Sequence, residues 1–186
     1  MPMLDFPIEK LKKYKGENPK PKDFDAYWDK ALKEISDLDY KVKLKKINYP
    51  VDAVEVFDLY FTSTNNARIH ALYARPKNQN AKSPCILEFH GYAGNYGTIE
   101  SKFKWNLLGY HVLSMDCRGQ GGKSIDPGNP VYNTMRGHII RGIEDKDTLQ
   151  FKHIFLDGVI MAKIAAGMEG VDKNKMMTVG GSQGGG

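Results

Sequence analysis

The sequence predicts an α/β domain, and three observations carry that expectation. Two alternating runs, "VEVFDLYFTS" and "ARIHALYARP", meet at a polar turn; beyond Pro84 short apolar strands alternate with helical patterns; and one of those helices is apolar around much of its circumference. Strand, helix, strand, long loop, helix, strand in succession reads as a three-layer arrangement, a mostly parallel sheet covered on both faces through right-handed crossovers.

The elements follow in order. Asp23 stands where an N-cap belongs, and Phe24, Tyr27, Trp28, Ala31 and Ile35 fall at helical spacing, so residues 1–40 read as an arm and an amphipathic helix that must lie against something. The two alternating runs, joined by "TNNA" and closed by Pro76, predict an antiparallel hairpin. Pro84 to His90 is a short apolar strand, Thr98 to Leu108 a helix stopped by Gly109, and "YHVLSMDCRG" the next strand. The connection "GQGGKSIDPGNPVYNTMRGH" is long for a compact domain, and loops of that length are usually functional or disordered. A helix is expected over 147–168, opened by Asp147 and Gln150 spaced as a capping box, and "MMTVG" is the last strand.

Composition narrows the classes. The 186 residues fit a single domain, and a chain of this size buries roughly 70% of the surface its unfolded form exposes. The 27 Lys and Arg against 22 Asp and Glu are spread without a like-charge run, which describes solubility and argues against a nucleic-acid partner. The opening "MPMLDFPIEKLKKYKG" mixes charges with apolar residues and has no signal-like or membrane-spanning stretch, so the expectation is a cytoplasmic protein without a membrane partner. Cys85 and Cys117 sit in apolar runs and read as buried thiols. No His, Cys and Asp cluster has metal-ligand spacing, so neither metal nor cofactor is expected.

In a parallel sheet ligands bind at the carboxyl ends of the strands, where this chain has "HGYAG", "DCRGQGG" and "GGSQGGG". Gly180-Gly181-Ser182-Gln183-Gly184 matches G-x-S-x-G, a strand-to-helix turn so sharp that its serine is strained and its flanking positions have no room for side chains. That makes Ser182 the candidate nucleophile and Gly180 and Gly184 the elbow glycines. The backbone amides of Tyr92, in the His-Gly loop, and of Gln183 are the candidate oxyanion donors; His90 itself reads as structural. Rival glycine motifs fail on spacing. A phosphate loop ending at Gly122-Lys123-Ser124 needs a glycine where Cys117 stands. A dinucleotide fingerprint meets Ser182 or Ser124 where it needs glycine.

Taken together, "LDFPIEKLKKYKG", "PKDFDAYWDKAL", "FHGYAG", "DCRGQGG", "GHIIRGIEDKDTLQFKHIFLDGV" and "GGSQGGG" resemble, in order and separation, the acetyl xylan esterases and cephalosporin C deacetylases of carbohydrate esterase family seven. The resemblance implies an α/β-hydrolase fold over 1–186, an acyl-serine mechanism at Ser182, and Arg118 and Gln120 as the family's RGQ element, with a structural role favoured for both. It further implies deacetylation of short xylo-oligosaccharides or cephalosporin-type esters, and hexameric assembly. In this fold the triad's acid and base follow the serine, whereas here the chain ends four residues after it. Of the histidines before it, His70, His111 and His153 are poorly placed, and only His138, in the long loop, could approach. The expectation is therefore an amino-terminal part of an esterase, truncated after the elbow and inactive alone. The alternatives are a serine peptidase or dienelactone-type hydrolase of the same fold, or a non-catalytic binding or assembly fragment.

Overall fold

The computed structural model describes residues 5–78, 81–128 and 137–186. A short helix α1 (Ile8–Leu11) lies in an exposed arm, and α2 (Phe24–Ser36) follows. The strands are β1 (Lys43–Ile47), β2 (Val54–Thr62), β3 (Arg68–Pro76), β4 (Ser83–Phe89), β5 (His111–Met115) and β6 (Val171–Gly180). Helix α3 (Glu100–Leu107) joins β4 to β5, and α4 (Gln150–Gly167) precedes β6.

The six strands form one sheet in the order β1-β2-β3-β5-β4-β6. The parallel part is β5-β4-β6, as the alternation of strands and helices predicts. The antiparallel part is wider than the hairpin alone, because β1 pairs with β2 and β3 pairs with β5 in the antiparallel sense as well. The hairpin itself keeps register over the whole of both strands, from Val54 opposite Pro76 to Thr62 opposite Arg68. Its turn places Asn65 at φ 57° and Asn66 at φ 55°, the left-handed region that Asn tolerates and that matches the strand twist.

Period-two alternation sorts the side chains between two layers. Leu59, Phe61, Ile69, Ala71, Tyr73, Leu87, Leu113 and Met115 face α2 and α4, where Ala31, Ile35, Leu156, Ile160 and Met161 complete the larger core. Val54, Val56, Leu72 and Ala74 face the other way and pack with Ile99 and Phe103 of the α3 segment. Every residue of the central strand β5 is buried. The amphipathic amino-terminal helix finds its surface on α4: Trp28 meets Phe155 edge to face, and the Tyr27 hydroxyl donates to the Lys146 carbonyl at 2.6 Å.

Two local expectations change. Helix α4 begins at Gln150 rather than Asp147, and no capping box forms. The Asp147 carboxylate pairs with Lys152 at 3.3 Å, and the Gln150 amide turns inward to donate to the Arg118 carbonyl at 2.9 Å. Asp23 likewise makes no capping bond, because its carboxylate accepts from Lys146 at 3.1 Å. Strand β1 carries no sequence signal: four of its five residues are exposed, and its three lysines suit a sheet edge.

His111 opens β5, 1% exposed, with its Nδ1 2.8 Å from the Tyr73 hydroxyl. Burial, assisted by the Arg75 charge, pushes its pKa down to about 4 from 6.5. A depressed histidine binds its proton more readily unfolded, so stability should fall as pH drops from about 6.5 to about 4, by on the order of 3 kcal/mol. Denaturant titrations across that window should show this slope in the wild-type chain and a flatter one in His111→Gln.

Candidate active site

Strand β6 runs to Gly180, Gly181 remains extended at φ −126° and ψ 148°, and Ser182 then turns to φ 55° to open a single tight turn, Ser182–Gly185. A side-chain-bearing residue in that region costs roughly 1–3 kcal/mol and persists only where its surroundings over-determine it. Here they do. A Cβ on Gly180 would overlap the Gly184 carbonyl, and a Cβ on Gly184 would overlap the Phe89 carbonyl of β4. Gly181 and Gly185 are different: nothing lies within 4 Å of a Cβ at the first, and 3.7 Å separates one at the second from Gly180 O. The spacing of the required glycines is thus that of the elbow, and Ser182 stands exposed on it.

The segment after β4 lies directly against this turn. A Cβ on Gly91 would sit 3.7 Å from Gly181 O and 3.8 Å from Ser182 Cβ, so Tyr92 is carried to the edge of the serine. His90 holds the segment from behind. Its Nε2 accepts the Cys117 N–H at 2.9 Å, which leaves Nδ1 protonated to donate to Gly91 O at 2.6 Å. Both ring nitrogens are thereby used, in agreement with the structural reading of His90.

Gln120 joins the two candidate oxyanion segments. Its Oε1 accepts the Ala93 N–H at 2.7 Å, and its Nε2 donates to Gln183 Oε1 at 3.2 Å. Gln183 Nε2 in turn points at Cys117 Sγ, 3.6 Å away. The Tyr92 side chain does separate work: its hydroxyl accepts the N–H groups of Gly137 and His138 at 2.8 and 3.0 Å and so ties down the returning end of the long loop. Residues 129–136 of that loop lie outside the described residues.

Arg118, two residues before Gln120, is fully buried and forms a two-pronged pair with Asp157 of α4, Nε to Oδ2 at 2.8 Å and Nη2 to Oδ1 at 2.6 Å. It also donates to the Ser63 and Thr64 hydroxyls, each at 3.1 Å, and Ser63 donates to Asp157. One guanidinium therefore fastens the end of β5 to α4 and to the hairpin turn. Glycine is required beside it, since Gly119 has φ 66° and a Cβ there would press on the Gln150 amide and the Arg141 guanidinium.

The remaining candidates are accounted for. His138 is buried, 3% exposed, with its ring 5.2 Å from that of Tyr92. His70, His111 and His153 all bond elsewhere, to Asp58 and Asp116, to Tyr73, and to Thr64. Burial pushes both cysteine thiols up to about 12, so they are neutral at physiological pH and inert as nucleophiles. A cavity of about 390 Å³ lies under the elbow between α4 and the sheet, lined by Phe89, Phe151, Phe155, Val159 and residues 183–186. Ser182 does not line it. Among the described residues no group of three or more side chains could hold a metal ion, and no helix is long and apolar enough to cross a membrane.

The family model for acetyl xylan esterase (AXE1) matches residues 1–186. The chain belongs to the acetyl xylan esterase family. Among solved structures it is similar to acetyl xylan esterase 1 from Thermoanaerobacterium sp. JW/SL YS485, at 46% identity and a TM-score of 0.90 over 97% of this chain and 57% of that one. It is similar also to the acetyl xylan esterase from Paenibacillus sp. R4, at 28% identity and a TM-score of 0.89 over 97% of this chain and 58% of that one. The fold is accordingly the α/β-hydrolase fold, and the chain spans somewhat more than half the length of either solved relative.

Several supporting residues of this family member escaped sequence reasoning. Asp157, a lone carboxylate within the apolar circumference of α4, was the one visible sign that something buried and cationic had to meet it. Gln150 reads from sequence only as half of a capping box, and the hydroxyl of Tyr92 gives no sign at all, because their partners are backbone groups.

Two outcomes follow from this packing. Asp157→Leu strands a buried guanidinium and should cost about 3–5 kcal/mol in urea unfolding, far more than the double change Arg118→Met with Asp157→Leu. Gly184→Ala should lower stability by about 1–3 kcal/mol through overlap with β4. Gly185→Ala, with open space before it, should stay within about 0.5 kcal/mol of wild type in the same assay.

Proposed function

We propose that this family member is a serine carboxylic-ester hydrolase that removes acetyl groups from acetylated xylo-oligosaccharides, with cephalosporin C-type acetates as a second substrate class. The observation that carries the proposal is the left-handed Ser182, φ 55°, on glycines that admit no side chain, with Gly91 packed beside it. Ser182 Oγ attacks the acetyl carbonyl and gives its proton to a base. The oxyanion that forms is held by the amides of Tyr92 and Gln183, each such donor contributing roughly 2.7–4 kcal/mol to the transition state. The carbon–oxygen bond to the sugar breaks, the alcohol leaves with the proton, and water then releases acetate and restores the serine.

Serine without a base is a weak nucleophile, and loss of the triad's serine or histidine costs on the order of a millionfold in kcat. Four of the five histidines here, His70, His90, His111 and His153, are engaged in structural bonds, and His138 is buried against Tyr92. The proposal therefore places the acid and base outside these 186 residues and holds that the 186 residues alone turn over little. The hexameric assembly implied by the resemblance belongs to the same proposal. So does a cytoplasmic location, which the two free buried thiols, Cys85 and Cys117, support.

The test is p-nitrophenyl acetate turnover by the polypeptide its gene encodes, beside the 186-residue chain. Turnover is expected in the first, abolished by Ser182→Ala, and at most a trace in the second. Acetate release from acetylated xylo-oligosaccharides and from cephalosporin C ranks the substrates. Turnover that survives Ser182→Ala would remove the serine from the mechanism.

A further inference from the structure

The segment from Gly91 to Gly97 is irregular, carries the candidate oxyanion amide of Tyr92, and includes Ala93 at φ 56°. Gln120 holds its near end. Its far end is held by Asp116, at the end of β5. Asp116 is completely buried, and its Oδ1 accepts the Tyr96 N–H at 2.7 Å. Its Oδ2 accepts the Lys123 N–H at 2.8 Å and faces His70 Nδ1 at 2.7 Å. His70, also fully buried, meets Asp58 Oδ1 with its other nitrogen at 2.7 Å, and the Lys123 ammonium closes on that same oxygen at 2.7 Å. The rings of Tyr60 and Tyr96 flank the imidazole, with centroids at 5.0 and 5.6 Å.

The His70 imidazole lies between two carboxylates, 2.7 Å from each, and so holds the Asp116 carboxylate in one orientation. With that orientation fixed, Tyr96 and Lys123 are drawn to the same group, and the two loops close on each other. Gly121 N–H donates to Gly94 O at 3.1 Å, and the Asn95 amide donates to Gly121 O at 3.3 Å. Gly122 completes the fit, since a Cβ there would fall on the Asp116 carboxylate. A buried carboxylate that accepts several donors is costly unless every one of them is in place.

We propose that Asp116, oriented by His70 and Asp58, is a positioning residue for the oxyanion loop: it sets the Tyr92 amide against Ser182 through Tyr96, and so acts on the chemical step without touching substrate. This rests on the reading of Ser182 as the nucleophile and of the Tyr92 amide as a donor to the oxyanion.

Two variants of the polypeptide its gene encodes test the proposal. Asp116→Asn removes the charge. Gly122→Ala leaves Asp116 intact but pushes a methyl into its carboxylate from an outer loop, and it decides the matter should the buried substitution prevent folding. Each is read by steady-state kinetics on p-nitrophenyl acetate and by amide hydrogen exchange over 92–97, with the β2–β3 hairpin as internal reference. The expected result is a kcat reduced about ten- to hundredfold with KM within about twofold, together with exchange at Tyr96 and Ala93 at least about tenfold faster. A lowered unfolding midpoint with wild-type kcat and wild-type exchange in that segment would overturn the proposal, and so would a lost kcat with unchanged exchange. Should the wild-type polypeptide show no Ser182-dependent turnover, the reading of the serine fails. Exchange alone then decides whether Asp116 holds the loop.

Discussion

The buried pair between Arg118 and Asp157 is the interaction on which the site's framework depends. Taking two charges out of water costs several kcal/mol per ion, and a single attraction repays that only when the geometry is good and the remaining donors are filled. Both conditions hold here, with two parallel bonds to Asp157 and further bonds to the Ser63 and Thr64 hydroxyls. The result is that β5, α4 and the β2–β3 turn are tied at one point, two residues before Gln120. Gln120 could not hold both the Ala93 amide and the Gln183 side chain if the backbone that carries it were free to move. The clamp across the elbow is therefore a consequence of an ion pair that never reaches the surface.

The elbow depends on close approach in the same way. Ser182 is held at positive φ by the neighbouring backbone, and that backbone can come close only because Gly180 and Gly184 have no side chains. Phe89, at the end of β4, presents the carbonyl against which Gly184 packs, so the strand that leads into the oxyanion loop also supports the turn after β6. The parallel pairing of β4 with β6, in register from Ile86 opposite Met177 to Phe89 opposite Gly180, is what brings those two strand ends to one level. This is the physical content of a site at the carboxyl edge of a parallel sheet.

How much of this was legible follows from which interactions are local. The hairpin, β4 and β5 could be read because their apolar residues alternate at the period of the element that buries them; the position of α3 was legible but its face was not, since Leu107 is exposed and Lys102 and Asn106 are the buried residues. The tight turn at Ser182 could be read because Gly180 and Gly184 stand at fixed offsets from it. Strand β1 could not be read, since an edge strand of lysines carries no apolar face. The start of α4 was misread because a capping box is a local pattern, whereas the Gln150 side chain answers to a carbonyl at Arg118, distant in sequence. Likewise the roles of Arg118 and Gln120 could be narrowed to structure but not to partners. Asp157 and Ser63 lie far along the chain, and nothing in a one-dimensional pattern pairs them.

The two loops beside Ser182 also explain why polar side chains hold the backbone there, although apolar residues line the cavity under the elbow. Irregular backbone at the end of a strand has N–H groups that no ladder satisfies, and burying them unpaired costs about as much as a lost hydrogen bond each. The N–H groups of Ala93, Tyr96 and Lys123 have no ladder partner, and Gln120 and Asp116 are the acceptors that meet them. Because each acceptor has a fixed place at the end of β5, satisfying the loop and positioning it are a single event. A loop packed only by apolar contacts could slide by a fraction of an ångström at little cost. A loop whose amides are counted out to particular oxygens cannot, and an amide aimed at a transient charge has to be held by that kind of constraint.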